Sequence, residues 1–389
     1  MIINELIKRN KDYVINLRRE FHKKPEASFK EFNTSKRIKE ELDKMEIEYV
    51  SCASTGVVAT IKGNHPGKTV ALRADIDALC VRELNNIEYK SQVEDMMHAC
   101  GHDGHTSMLL GAAKILCELK DEIHGTIKLL FQPAEEIGEG AKAMINDGAL
   151  DNVDSIFGIH LWSNIDVGKI SVEAGPRMAS ADWFKINITG KGGHGSAPHE
   201  CIDALVVASS IVMNLQNIVS RQVNPLEPLV LSIGMLNAGS RFNVIAEDAY
   251  MEGSCRCFNP ELRRELPAMM DRIINNIAQG YGAKASLEYN FILPATINDA
   301  ACSAIAENSA KKIVGYENVI KFEKVTGSED FSYYMDLAPG ALAFVGCKNE
   351  EKSACYSHHS GNFNIDEDAL EIGTELYINY AIDYLMSNI

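Results

Sequence analysis

The stretch "KTVALRADIDAL", residues 68–79, predicts a buried strand that ends in two carboxylates. An apolar run leads into Asp75 and Asp77, and such a run is typical of a strand that is covered on both faces. In α/β proteins, ligands and catalytic groups gather at the carboxyl ends of the strands. The stretch therefore predicts a central strand of the core and one edge of a site.

Strand and helix patterns alternate on both sides of this stretch. Apolar runs predict strands at "TGVVATIKG", "GTIKLLFQP", "VDSIFGIHLW", which would end near His160, and "GALAFVGC". Apolar spacing predicts helices over 1–20 and 31–46, at "TSMLLGAAKILCELKDEI" with Thr106 as its N-cap, and at "EDALEIGTELYINYAIDYLM". The alternation indicates an α/β domain with a mixed, largely parallel sheet flanked by helices.

The middle of the chain has a different pattern. Residues 182–291 read as strand, helix, two strands and helix, followed by another strand at "KASLEYNFIL". This order predicts a compact α+β unit, a lid or dimerisation domain inserted into a larger catalytic domain that consists of 1–181 and 292–389. A chain of 389 residues is also longer than one core usually supports.

Charge and composition exclude several classes of protein. The net charge of −16 argues against binding to nucleic acid or to an anionic membrane surface. No apolar run approaches the ~20 residues that span a bilayer, and the N-terminal segment lacks the apolar core of a signal peptide, so we expect a cytoplasmic protein. The ten cysteines are scattered, which does not favour a disulfide framework.

Side chains that bind metals gather in four places. Hydrolytic metal sites use imidazole, thiolate and carboxylate ligands, and the candidates are Cys100 and His102 in "ACGHDGH", Glu135 and Glu136 in "FQPAEE", His160 in "FGIHLW", and His358 and His359 in "SHHSGNF". Singly, each has an ordinary structural explanation: a packed histidine, a solvated helix start at the glutamates, or a helix-entry loop with Asp103 capping and His105 on the helix surface. Together, near strand ends, they favour a metal site.

The chain resembles the M20 metallopeptidase superfamily, and within it the amidohydrolase branch of hippurate hydrolases, auxin–amino acid conjugate hydrolases and N-acetyldiaminopimelate deacetylases. The motifs that carry the resemblance run from end to end: "LRREFHKKPEASFKE", "ALRADIDAL", "MHACGHDGHTSMLLGAAKIL", "LLFQPAEE", "ITGKGGHGSAPH", "GSEDFSYY" and "SHHSGNFNIDEDAL". The resemblance implies the fold of the zinc-exopeptidase-like enzymes with an inserted domain, and hydrolysis of the amide bond of N-acyl amino acids.

The resemblance also implies roles for individual residues. Two divalent metal ions, of which manganese and zinc are expected before nickel and cobalt, would be held by Cys100, His102, Glu136, His160 and His359, with Cys100 as a bridging thiolate. Glu135 would be the general base and acid, and Asp75 would orient a ligand. His194 would stabilise the oxyanion that forms as the scissile carbonyl is attacked, and in relatives the corresponding histidine often reaches the active site of the dimer partner. Asn243 would contact substrate. His98, Asp103 and His105 would support the site.

Other functions remain open at this stage. A metallo-dipeptidase or aminopeptidase of the same superfamily would use a similar site. A non-catalytic metal-binding scaffold needs ligands but no unligated base, so Glu135 speaks against it. A thiol redox protein is disfavoured because Cys100 has no C-x-x-C partner. The apolar helix faces and the strand edge of the inserted domain predict a homodimer or a higher homo-oligomer.

Overall fold

The computed structural model describes residues 2–387, with side chains from residue 3 onward. Met1, Asn388 and Ile389, which the predicted larger domain includes, lie outside the described residues. The α-helices are α1 (Ile2–Lys23), α2 (Phe32–Lys44), α3 (His102–Glu118), α4 (Gly140–Asn146), α5 (Ala204–Asn217), α6 (Pro260–Gly280), α7 (Ala300–Val314), α8 (Ser332–Met335) and α9 (Asp368–Leu385).

The strands include every one predicted from the sequence and several short ones that were not. They are β1 (Glu48–Cys52), β2 (Gly56–Lys62), β3 (His65–Asp75), β4 (His124–Gln132), β5 (Ser155–Asp166), β6 (Ile170–Ser171), β7 (Gly175–Met178), β8 (Ala181–Thr189), β9 (Gly193–His194), β10 (Leu229–Ala238), β11 (Val244–Ile245), β12 (Asp248–Cys257), β13 (Lys284–Leu293), β14 (Thr296–Asn298) and β15 (Gly340–Lys348).

The chain divides into two compact units. The first runs to Gly175 and includes Ile297–Glu323 and the chain from Asp330 onward, and the second contains Pro176–Thr296 and Lys324–Glu329. The predicted insert of 182–291 lies within the second unit, which also takes in short segments on both sides of it and the separate segment 324–329.

The first unit is built on a seven-stranded sheet in the order β1-β2-β4-β3-β5-β15-β6. Its four central strands, β4, β3, β5 and β15, are parallel to one another, and the outer strands pair antiparallel. The predicted mixed, largely parallel sheet is therefore confirmed. Because parallel strands end at one edge of a sheet, the residues that follow β3 and β4 lie at the same edge as the end of β5.

Helix α3 is buried along nearly its whole length, from His102 to Leu116. Its glycines allow this, since a Cβ atom at Gly111 would lie 2.5 Å from Val14 Cγ2 of α1 and 3.2 Å from Thr374 Cγ2 of α9. Close packing of α1, α3 and α9 therefore depends on a glycine, which has no side chain, at position 111. The same helix carries the histidines of "GHDGH" into the core.

The predicted N-cap of α3 at Thr106 is wrong. The helix begins at His102 after Gly101, whose φ of 93° lies in the left-handed region that favours glycine. The backbone N–H groups of Gly104 and His105 donate to the carbonyl of Gly101. The hydroxyl of Thr106 instead donates to the carbonyl of Asp75 over 3.0 Å, which ties the first turns of α3 to the end of β3.

Strand β5 continues beyond its predicted end near His160. Leu161, Trp162 and Asp166 still pair with β15, and the indole of Trp162 stacks on Phe344 at 4.3 Å between ring centroids. His160 therefore lies within a strand, and it pairs with Phe344 of β15.

The second unit has a four-stranded antiparallel sheet in the order β10-β12-β8-β13, with α5 and α6 packed together against it. Helix α6 buries Leu266, Met270, Ile274 and Ala278, a four-residue spacing that marks one face of a helix. Asp203 caps α5 by accepting from the backbone N–H groups of Leu205 and Val206. Within residues 2–387, no helix combines the length and apolarity that crossing a membrane requires.

Candidate metal centre

Cys100, His102 and His160 form a buried group of donor atoms. The Cys100 thiol lies 3.6 Å from His160 Nε2, and one donor atom from each of the three residues lies within 4.8 Å of the others. Cys100 and His102 stand on either side of the turn at Gly101, and His160 reaches them from β5. A thiol and two imidazoles at this separation are a donor set suited to zinc and other transition metals.

A second group shares Cys100 with the first. Donor atoms of Cys100, Glu136 and His359 also lie within 4.8 Å of one another, and His359 Nε2 is 3.6 Å from a Glu136 carboxylate oxygen. The backbone of His359 has a φ of 65°, and its N–H donates to the carbonyl of Ala99 over 2.8 Å. One thiol common to two groups of donors is the arrangement that a bridging ligand requires.

The adjacent glutamates point into the same cluster from a turn. Ala134 has a φ of 54°, and its N–H donates to the carboxylate of Glu31 over 2.9 Å, so the chain turns sharply after β4. Donor atoms of His102, Glu135 and Glu136 lie within 4.8 Å of one another. The alternative of a solvated helix start is wrong, since Glu135 is partly buried and α4 begins only at Gly140.

The imidazole of His102 has the orientation of a metal ligand. Its Nδ1 lies 3.0 Å from the carbonyl of Asp77, which can only accept, so Nδ1 carries the proton. In the neutral ring Nε2 then keeps its lone pair, and among the described residues this buried atom has no hydrogen-bond partner. Such a bond from the other ring nitrogen is how proteins orient histidine ligands. This buried, unpartnered nitrogen fits a cation better than a packing role.

His160 is held in the same way. Its Nδ1 lies 2.7 Å from the carbonyl of Leu161, which leaves Nε2 facing the Cys100 thiol. Burial and the neighbouring imidazoles of His105 and His358 lower the pKa of His160 well below its usual value. The ring is therefore neutral, as a metal ligand must be.

The charges around the cluster favour a bound cation. Burial opposes a charge on His102, but Asp75 and Cys100 outweigh it and raise the pKa of that imidazole well above its usual value. Burial, together with the charge of Glu136, raises the pKa of the Cys100 thiol. Without a metal ion the cluster therefore holds protons on His102 and Cys100, and a metal ion would displace them.

Asp75 connects this cluster to a buried arginine. One carboxylate oxygen accepts from His105 Nδ1 over 2.6 Å, and the other accepts from Arg73 over 2.6 Å and lies 3.7 Å from His102 Nε2. Burial acts to raise the pKa of Asp75, but His102, His105 and Arg73 outweigh it and hold the pKa well below its usual value. Asp75 is therefore an anion inside the core.

Arg73 also belongs to the candidate site, although no prediction from the sequence included it. Its guanidinium is buried and also donates to Gln132 Oε1 over 2.8 Å and to Asp330 over 3.0 Å. Gln132 in turn donates to both carboxylate oxygens of Asp330. An arginine inside the apolar run of "VALRAD" was the available signal, because a buried cation must be paired.

His105 is a buried support rather than a surface residue. Besides donating to Asp75, it accepts the backbone N–H of Leu161 at Nε2 over 2.8 Å. The interpretation that placed His105 on the helix surface is therefore wrong. Both ring nitrogens are occupied, and the residue holds the backbone of β5 beside His160.

Three further residues named from the sequence, His358, Asp103 and His98, lie outside the groups of donor atoms. His358 Nε2 donates to the carbonyl of Leu161 over 2.9 Å, and Nδ1 of the neutral ring accepts from the hydroxyl of Ser163 over 3.2 Å, so His358 does not join the donor groups. Burial lowers the pKa of His358 to about 4. Asp103 is buried and pairs with Arg18 and His22, each over 2.8 Å. Buried His98 has no hydrogen-bond partner among the described residues, and burial lowers its pKa to about 4.

His194 and Asn243 lie next to each other in the second unit. His194 is the last residue of β9 and pairs with Val244 of β11, and the N–H of Gly195 donates to the carbonyl of Asn243 over 2.9 Å. The two candidate substrate-contacting residues are therefore held on one small two-stranded ribbon.

The sequence matches a known family and named relatives. Residues 71–383 match the model of peptidase family M20/M25/M40. Thermostable carboxypeptidase 2 of Saccharolobus solfataricus is 42% identical, with 97% of each chain covered. N-acetylcysteine deacetylase of Bacillus subtilis is 40% identical over 95% of this chain and 96% of its own. IAA-amino acid hydrolase ILR1-like 4 of Arabidopsis thaliana is 39% identical over 98% and 88%.

A solved structure matches over the same length. The crystal structure of a dinuclear metal-binding peptidase of the M20 family from Bacillus subtilis superposes with a TM-score of 0.87 at 37% identity. The match covers 97% of this chain and 99% of that one. Similarity therefore extends over both units described above.

The shared thiol yields a first prediction. Cys100→Ser should lower the metal content of the purified protein, because a neutral hydroxyl is a poorer ligand than a thiolate for a transition metal. Metal per chain, measured by inductively coupled plasma mass spectrometry, checks this. Cys117→Ser is the matched control, since that half-buried thiol donates to the carbonyl of Met45 instead. Undiminished metal content in Cys100→Ser would refute the ligand role.

A second prediction concerns the buried anion. Asp75→Asn should weaken metal binding by about 10- to 100-fold, the usual effect of changing a group that supports the ligands. The change removes the negative charge beside His102 and disturbs His105, which holds the backbone next to His160. Competition with a coloured chelator measures the affinity. Asp121→Asn, which removes an exposed carboxylate bonded to Asn64, should leave it unchanged. Equal affinities in both variants would mean that Asp75 does not act on the metal site.

Proposed function

The chain belongs to peptidase family M20/M25/M40 and is a hydrolase of amide bonds, and we propose that it cleaves the amide bond of N-acyl amino acids such as N-acetyl or N-benzoyl derivatives. The observation that carries the proposal is the pair of donor groups that share Cys100 while Glu135 stands beside them. A site built only to hold metal needs ligands, whereas a hydrolytic site also needs a base.

The proposed ligands are Cys100, His102, Glu136, His160 and His359, which would hold two divalent ions, with manganese or zinc preferred. When bound, such ions polarise the scissile carbonyl and lower the pKa of water. The buried nitrogen of His102 and the soft thiol of Cys100 support a transition metal over calcium or magnesium.

Glu135 is the proposed general base and acid. Its carboxylate would take a proton from the attacking water and later deliver it to the nitrogen of the leaving amine. The turn at Ala134 gives the adjacent glutamates different directions, so one can serve as a base while Glu136 serves as a ligand. His194 would donate a hydrogen bond to the oxygen that becomes negative as the carbonyl is attacked.

The names of the relatives support the substrate class. A carboxypeptidase, an N-acetylcysteine deacetylase and an IAA-amino acid hydrolase have in common that an amide bond to an amino acid is cleaved. The carboxypeptidase name also supports the second candidate, a peptidase that acts on short peptides with a free amine.

All ten cysteines carry free thiols, which supports a reducing, cytoplasmic environment.

A homodimer through the second unit is also proposed. Strand β10 is an edge strand of its sheet, and Val230, Met235 and Leu236 on it are exposed. On α5, Val206 and Met213 are exposed, the latter by 71%. An unpaired strand edge beside exposed apolar side chains is what a second copy of the same chain can cover by pairing edge to edge.

The test of the function is a hydrolysis panel. We expect metal-loaded protein to cleave N-acetyl and N-benzoyl amino acids faster than dipeptides with free amines. Glu135→Gln should lower turnover by about 10²- to 10⁴-fold while its metal content stays at the wild-type level, since it removes a base and no ligand. Glu139→Gln, an exposed neighbour paired with Lys142, is the control.

Two outcomes of this panel would count against the proposal. Faster cleavage of free dipeptides would favour the peptidase. Near-normal turnover of Glu135→Gln with metal content verified would remove Glu135 from the mechanism.

The dimer is tested separately by sedimentation. Met213→Glu should shift the protein towards monomer at micromolar concentration, because it places a charge in an apolar interface. Leu337→Glu, an equally drastic change at an exposed residue of the first unit, should leave the mass unchanged. A monomeric wild type, or a Met213→Glu variant that stays dimeric, would contradict the proposed surface.

A further inference from the structure

Ser196 makes two hydrogen bonds to the ring of His194. Its backbone N–H lies 3.1 Å from His194 Nδ1, and its hydroxyl oxygen lies 2.7 Å from the same nitrogen. Both residues are exposed in the second unit, and both contacts are local, since only Gly195 separates them in the chain.

These two contacts determine which ring nitrogen carries the proton. A backbone N–H can only donate, so Nδ1 must offer its lone pair. The hydroxyl of Ser196, which can donate or accept, then donates to the same lone pair. A neutral imidazole has one proton, and it must therefore be on Nε2.

The backbone around His194 makes this arrangement rigid. A Cβ atom at Gly193 would lie 2.4 Å from Cys201 Sγ, and one at Gly195 would lie 2.9 Å from the carbonyl oxygen of Asn243. The N–H of Ala197 donates to the carbonyl of His194 over 2.8 Å and closes a turn. Close packing on both sides of His194 and this turn keep the Ser196 N–H directed at Nδ1.

We propose that Ser196 is a positioning residue that fixes the tautomer of His194 with the proton on Nε2. The inference rests on the proposed function, in which His194 donates to the developing oxyanion. A lone pair at Nε2 would repel that oxygen, whereas an N–H stabilises it. Ser196 thus supplies what the oxyanion role of His194 requires.

Nuclear magnetic resonance tests the tautomer directly. Full-length, metal-loaded protein is labelled with ¹⁵N-histidine, and long-range ¹H–¹⁵N correlations distinguish a protonated Nε2 from a protonated Nδ1. His194 is assigned as the signal set lost in His194→Gln. We expect the Nε2–H pattern at a pH where the ring is neutral. The Nδ1–H pattern would overturn the inference.

Kinetics test what the tautomer does. Ser196→Ala should lower kcat by about 2- to 10-fold with KM unchanged, the loss expected for one hydrogen bond that matters in the transition state. Ser196→Thr, which keeps the hydroxyl, should restore kcat. Ser220→Ala is the control, because its hydroxyl donates to Gln216 in the same unit. An unchanged kcat in Ser196→Ala, or no recovery in Ser196→Thr, would overturn the role of the hydroxyl.

Two replacements of His194 distinguish a hydrogen-bond donor at the position of Nε2 from one at the position of Nδ1. The amide nitrogen of glutamine can take the place of Nε2, and that of asparagine the place of Nδ1. We expect His194→Gln to retain more turnover than His194→Asn, and the reverse order would overturn donation from Nε2. Full turnover in both variants would instead refute the proposed function of His194, whatever tautomer the spectra report.

Discussion

The candidate metal centre depends on one buried carboxylate. Asp75 is an anion in the core, and an ion there is stable only when its charge is paired and its oxygens are hydrogen-bonded. Arg73 supplies the charge, and His105 supplies a hydrogen bond. His105 also fixes the backbone of β5, because its other nitrogen accepts the N–H of Leu161 beside His160. Strand β3, helix α3 and strand β5 are thereby held in the register that brings Cys100, His102 and His160 together.

The surroundings of the donor atoms would favour a bound cation. Both histidines nearest the thiol use Nδ1 to donate to a backbone carbonyl and direct Nε2 towards the cluster. The pKa of His102 is raised by Asp75 and Cys100 against the effect of burial, while burial, with Glu136, raises that of Cys100. A metal ion would displace the protons that this buried cluster retains, and it would neutralise the same anions.

Local pattern was enough for the strands, most helices and the approximate positions of the candidate ligands. The apolar runs have the length and composition of buried strands, so Asp75 and the paired glutamates could be placed at strand ends. The bridging role of Cys100 came from the resemblance, because spacing alone does not distinguish a ligand from a buried thiol. The predicted N-cap at Thr106 and the predicted end of β5 near His160 are wrong, because each depends on a partner distant in the sequence: the carbonyl of Asp75 and the pairing with β15. His105 has the supporting role expected of it, but its partners, Asp75 and the N–H of Leu161, are equally distant in the sequence. The same is true of Arg73, whose partner Asp330 is 257 residues away.

The central claim is that two metal ions share the Cys100 thiolate. Its most direct test is a crystal structure of protein loaded with zinc, with anomalous difference maps calculated from data on both sides of the zinc absorption edge. The account predicts two peaks per chain, each about 2.3 Å from Cys100 Sγ, one beside His102 or His160 and the other beside His359. A single peak, or two peaks of which neither contacts Cys100, would contradict it.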